Sequence, residues 1–111
     1  MKHKAIEATE FVSTSDKRLK KNIQALEDNS KLLMKLKPVT FQWKNQKKEK
    51  TIKGFIAQEV QEIFPDIIHT NSEKFLSIDY NQMIPMMIQQ IQFLTKEIET
   101  LKNKQKNLSQ S

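Results

Sequence analysis

The sequence predicts an α+β fold: a small domain of β-hairpins and short helices, followed by a long C-terminal helix. Three observations carry the domain and the helix. Val39–Trp43 with Thr51–Ile56, and Ile67–His69 with Phe75–Ile78, are pairs of β-branched or aromatic runs, each pair separated by a polar turn. Short helical spacings lie between them, at Leu32, Leu33 and Leu36 and at Val60, Ile63 and Phe64. From Asp79 onward the apolar spacing becomes steps of three and four and stays so. The 111 residues are one domain's worth of chain, enough for a modest core.

Taken in order, residues 1–14 read as a leader, the end of an upstream region, closing on the strand-like Glu10-Phe11-Val12-Ser13-Thr14. The domain proper is expected over 15–111. Ser15-Asp16 precedes a basic stretch, Lys17–Lys21, and an extended Ile23–Leu26. Glu27-Asp28-Asn29 is acidic and suited to cap a short helix over Ser30–Leu36, which Pro38 stops. The first hairpin follows, with Phe41 and Trp43 on one side of its first strand and so expected in the core. A second short helix spans Ala57–Phe64 and ends before Pro65, and the second hairpin turns at Thr70-Asn71-Ser72-Glu73. Asp79 and Gln82 have capping-box spacing for a long helix over about residues 80–106, in which Pro85 removes one hydrogen bond and bends the first turns.

That helix carries a heptad seam. Ile84, Met87, Ile91, Leu94, Ile98 and Leu101 fill alternating a and d positions, Leu108 continues them, and Gln105 interrupts at a. Such a seam lies along a globular core or pairs copies of the chain. Self-association is favoured by the helix's length and by Glu97 and Lys102 at g and e positions, while the heptads alone do not set the number of strands. Met83, Met86 and Met87 crowd the helix start, where they pad a subunit contact.

Composition excludes several chemistries. With no Cys there is no disulfide, thiolate ligand or Cys nucleophile. Two histidines, His3 in the leader and a solvated His69 on a strand, leave no material for a metal centre or a His-based triad, so no metal or cofactor is expected. Gly54 is the sole glycine, too few for a phosphate-cradling loop. No apolar run is long enough to span a bilayer, so no membrane partner is expected. The net charge of +6 is unevenly spread. Residues 17–53 hold twelve basic and three acidic side chains, whereas 54–101 hold two basic and seven acidic. A basic half without interleaved aromatics reads as a solvated surface more than as a nucleic-acid face.

One constellation could carry chemistry, Ser15-Asp16-Lys17-Arg18-Leu19-Lys20. A serine hydroxyl needs a base, and without a usable histidine that base is a lysine. A lysine serves only when neutral, so its reference pKa of about 10.4 must fall by roughly three units, and neighbouring cations push that way. Positions five apart on one helix are about 140° apart, so Ser15 must precede the turn for Lys20 to reach back to it. On spacing alone, Ser15 reads as an N-cap in preference to a nucleophile.

Four stretches occur together and in order: Ser15-Asp16-Lys17-Arg18-Leu19-Lys20-Lys21-Asn22-Ile23, Pro38–Trp43, Gly54-Phe55-Ile56-Ala57-Gln58-Glu59-Val60 running on to Pro65, and Ser77-Ile78-Asp79-Tyr80. Together they resemble the C-terminal intramolecular chaperone domain of phage tailspikes and tail fibres. That self-cleaving module also occurs in endosialidases and in membrane-tethered transcription factors of the myelin regulatory factor type. The resemblance covers about residues 13 to 101. It implies a homotrimer that templates folding of a β-structured fibre or spike region N-terminal to it and then cuts itself off. By position it implies Ser15 as nucleophile, Lys20 as base and Thr14–Ser15 as the scissile bond. Asp16 caps or orients the turn, and Gln58 and Glu59 support the site or simply start a helix. It also implies a place in the host cytoplasm during virion assembly, with release from the mature fibre after cleavage. The rival readings are a trimeric interaction module that does not cut and, more remotely, a basic coiled-coil nucleic-acid binder.

Overall fold

The structure is a computed structural model and describes residues 12–110. His3, Glu10 and Phe11 fall outside the described residues. Val12–Thr14, the second half of the expected strand-like end, forms no strand. The basic stretch contains a single 3-10 turn, Lys17–Leu19. Just beyond it Asn22 takes a positive φ of 55°, a conformation that asparagine adopts more readily than most side chains. Residues 23–29 then run as an irregular arm along the long helix, where the Gln89 carboxamide donates to the Leu26 carbonyl at 2.8 Å.

Helix α1 (Ser30–Leu33) is shorter than its leucine spacing predicts. Lys35 and Leu36 bond back three residues, to Leu32 and Leu33, so the helix tightens and ends before Pro38. Its N-cap is Asn29, whose side chain caps no amide; the Asp28 carboxylate one residue earlier accepts from the Ser30 amide at 2.8 Å and the Ser30 hydroxyl at 2.6 Å. Strands β1 (Val39–Phe41) and β2 (Ile52–Gly54) pair antiparallel with Thr40 opposite Lys53. The ladder stops at Phe41, before the alternation does, and this corrects the expectation for Trp43. Trp43 lies beyond the paired region, 62 % exposed, with its ring edge-on to Phe41 at 5.0 Å.

Helix α2 (Ala57–Ile63) buries Val60 and hands over through Phe64 to a 3-10 turn, Pro65–Ile67. The second hairpin, β3 (Ile68–Thr70) and β4 (Leu76–Ile78), has His69 opposite Ser77, and His69 is exposed. Its turn is held by the Asn71 carboxamide oxygen, which accepts from the amides of Glu73 and Phe75 at 2.9 Å each. The Asp79 amide bonds to the Ile67 carbonyl at 2.8 Å and so ties the end of this hairpin to the turn after α2.

A 3-10 turn over Tyr80–Gln82 leads into α3 (Met83–Gln110). The Gln82 carboxamide donates to the Asp79 carboxylate at 2.9 Å, but that carboxylate caps no backbone amide and the Asp79 amide is taken by Ile67, so the expected capping box does not form. Pro85 is only the third residue of α3, where amides lack an intrahelical acceptor, so the expected loss of a hydrogen bond does not arise. The core is Val60, Phe64 and Ile67 against Met83 and Met86, ringed by Leu33, Leu36, Phe55, Ile63, Ile68 and Ile78. Met83 and Met86 are thus core of their own chain rather than padding for a partner. The seam is not: Ile84, Ile91, Leu94 and Ile98 are each more than half exposed. In a single chain the seam does not lie along the globular core.

Gly54 faces a tight spot. A Cβ added there would stand 3.0 Å from Phe41 Cε1 and 3.3 Å from the Tyr80 hydroxyl. Overpacking of this kind costs about 1–3 kcal/mol, against less than about 1 kcal/mol gained by restricting the unfolded chain. Gly54→Ala should therefore lower stability by about 1 kcal/mol in denaturant unfolding at fixed protein concentration.

Candidate functional site

The site is a turn of six residues, and hydrogen bonds within it set its shape. Asp16 has extended backbone (φ −67°, ψ 131°) and is the N-cap of the 3-10 turn, accepting from the Arg18 amide at 2.9 Å. The reading of Ser15 as an N-cap therefore gives way, since that task falls to the next residue. At the other end Lys20 returns to extended backbone (φ −112°, ψ 150°), with its amide on the Lys17 carbonyl at 3.1 Å. The single tight turn reverses the chain enough that the Lys20 side chain lies back over Ser15. Lys20 Nζ donates to Ser15 Oγ at 2.6 Å.

The sequence presents Arg18 only as one of several cations, and its pairing with Asp16 emerges from the structure. Its Nε donates to Asp16 Oδ1 at 3.1 Å and its Nη2 to Asp16 Oδ2 at 2.8 Å, a two-pronged contact with the carboxylate that also caps the turn. The readable signal was an Asp at an N-cap followed two residues later by Arg. The guanidinium bond first, and the Arg18 amide second, hold the Asp16 carboxyl below its ordinary value of 3.8, and Arg18 is held more firmly protonated in return. Ser15, Asp16 and Lys20 are all exposed, as are Thr14 and the Thr14–Ser15 bond that leads into the turn.

Gln58 and Glu59 stand elsewhere, in the exposed first turn of α2, with no hydrogen bond to Ser15 or Lys20. The seam residues Ile84, Met87, Ile91, Leu94, Ile98 and Leu101 form an exposed row on α3. Among the described residues no three carboxylate or imidazole groups converge as ligands for a metal ion. Among the described residues no helix is long and apolar enough to cross a membrane.

Chemically, the turn offers a hydroxyl within hydrogen-bond reach of an amine and directly beside its own preceding peptide. A serine hydroxyl paired with a basic nitrogen is the arrangement of a covalent acyl-transfer centre. Residues 15–69 match the model of a peptidase family described as the chaperone of endosialidase, and over that span the chain belongs to the family. The description supports an intramolecular chaperone role, and the family's name points to the self-cleaving serine peptidases. The match begins at Ser15 and takes in the first three of the four motif stretches, ending in β3 before the fourth and before α3. No curated relative matches the chain.

A carboxyl whose native pKa is lowered contributes stability above its unfolded value and loses it as pH falls through the lower native value. The Arg18 amide and Nε resonances should accordingly hold constant from pH 7 down to about 5 and move only below about 4, near the ordinary carboxylate range. Movement centred near pH 6 would place control of the turn with another group.

Proposed function

We propose that this chain is a C-terminal intramolecular chaperone that trimerises along α3, assists folding of a β-structured fibre or spike region N-terminal to it, and releases itself at Thr14–Ser15. The observation that carries this reading is the 2.6 Å contact between Lys20 Nζ and Ser15 Oγ, in a segment that the family match opens on. With Lys20 neutral, its amine takes the hydroxyl proton as Ser15 Oγ attacks the Thr14 carbonyl carbon through a five-membered ring. The Thr14–Ser15 C–N bond breaks, the Ser15 nitrogen takes the proton back from Lys20, and an ester links Thr14 to Ser15 Oγ. Water then hydrolyses the ester to a Thr14 carboxylate and a free N-terminal Ser15. Attack within the same chain requires no substrate pocket, because covalent connection supplies the proximity.

Assembly is the natural gate. Lys20 is exposed in the single chain, and burial by neighbouring subunits disfavours a charged amine. The trimer, the client region and action in the host cytoplasm during virion assembly belong to this same proposal, supported by the exposed seam and the family.

Mass spectrometry of the full chain fused to a fibre segment tests the cut. Wild type should yield a 97-residue product, residues 15–111, with a new N-terminal serine. Ser15→Ala, Lys20→Ala and Lys20→Arg should stay whole yet assemble, the last because arginine remains protonated. A wild-type trimer that stays whole, or a Lys20→Ala chain that cuts at the parental rate, would overturn the dyad and leave the non-cleaving module.

Sedimentation tests the seam. Ile91→Asp puts a charge on the bundle axis, where an unpaired charge is strongly disfavoured, so monomers or aggregates should replace the trimer. An unchanged trimer would show that assembly uses another face.

A further inference from the structure

Two apolar surfaces stand open on this chain, and they adjoin. The first is the row on α3 from Ile84 to Leu101. The second is an open cleft of about 460 Å³ between the hairpins, walled by Phe41 of β1, Trp43 just beyond it, Phe55 and Ile56 before α2, Leu76 of β4, and Tyr80. Its rings are paired: Phe41 stands edge-on to Trp43, and Phe55 is tilted against Tyr80 with centroids 6.3 Å apart. Trp43, Ile56 and Tyr80 are nevertheless exposed, although side chains of this kind carry much of the energy of a core or an interface. The two hairpins share no ladder, so neither sheet closes the cleft between them.

Tyr80 joins the two surfaces. It lies in the 3-10 turn that leads into α3, four residues before Ile84 and seven before Met87, and so continues the row's own steps downward. The apolar surface thus runs from the helix onto the hairpins. In a parallel bundle the copies meet level with level, so the base of one helix, with its cleft, faces the base of the next. A continuous apolar surface of this kind is a contact surface. A client region that departs on cleavage would uncover it again, whereas a copy of the chain stays. We propose that a second copy of this chain covers the cleft, so that the assembly interface continues from α3 over the aromatic face of the hairpins. This extends the trimer reading and rests on it. Trp43 then becomes an anchor between copies, the place where aromatic side chains contribute most to association.

Trp43 is the chain's sole tryptophan, so its fluorescence reports on the cleft directly. The measurement uses the full chain carrying Ser15→Ala, in which cleavage plays no part. At a concentration where sedimentation gives the trimer, Trp43 emission should lie to the blue of that in the Ile91→Asp monomer, and acrylamide should quench it several-fold less. Dilution of the parent below its half-assembly concentration supplies the same comparison if that variant aggregates. Trp43→Ala should raise the half-assembly concentration about ten-fold or more, and Trp43→Phe should recover most of that loss. The monomer's circular dichroism should not change in either, because the ring lies outside the core. An intact trimer whose Trp43 is quenched as freely as in the monomer would overturn the proposal whatever the variants do, and would leave the α3 bundle standing with the cleft open to a client. A parent chain that stays monomeric at every concentration would sink the trimer reading and this proposal with it.

Discussion

The architecture depends on a small contact: Val60, Phe64 and Ile67 from α2 and the turn after it, closed against Met83 and Met86 at the base of α3. This packing fixes the origin of the long helix and consumes only its first turn. The arm before α1 bonds to it only as far as Gln90, and about twenty residues run on past that point in a helix of 28 residues, about 42 Å long. The helix's apolar row, from Ile84 to Leu101, stays exposed in one chain. This exposed row is the assembly surface proposed above. The same small core explains why Trp43 and Phe75 are exposed: among the described residues no second layer lies over the hairpins to receive them.

The arm between the candidate site and α1 lies across this arrangement. Gln89 holds the Leu26 carbonyl, and the Ser30 hydroxyl lies 2.8 Å from the Gln90 carboxamide. Ser30 has a single proton and donates it to Asp28, so with Gln90's nitrogen turned towards it the hydroxyl accepts from the amide. Gln89 and Gln90 fall between Met87 and Ile91 of the seam, so the chain leading from the turn is fastened beside the proposed assembly surface. The turn itself needs no such support. Its hydrogen bonds all come from residues 15–20, so its geometry is set locally, whereas the burial that would favour a neutral Lys20 has to come from elsewhere.

Sequence alone determined the element types. Alternation, helical spacing and the step to heptads are periodic signals, and they located both hairpins, α2 and α3 to within a few residues. It missed the ends because strand ladders and short helices stop where partners or hydrogen bonds run out. So Trp43 left the core, α1 closed at Leu33, and the capping box at Asp79 did not form. Periodicity also could not say which methionines face inward, since Met83 and Met86 share their helix start with the exposed Met87. The residue types of the site, a serine with a lysine five positions on, were equally plain in the sequence. Only the tertiary structure decided that they meet, because contact across that spacing depends on one 3-10 turn whose cap is Asp16 and whose brace is Arg18. An α-helical turn through the same residues would have set Ser15 and Lys20 on different faces.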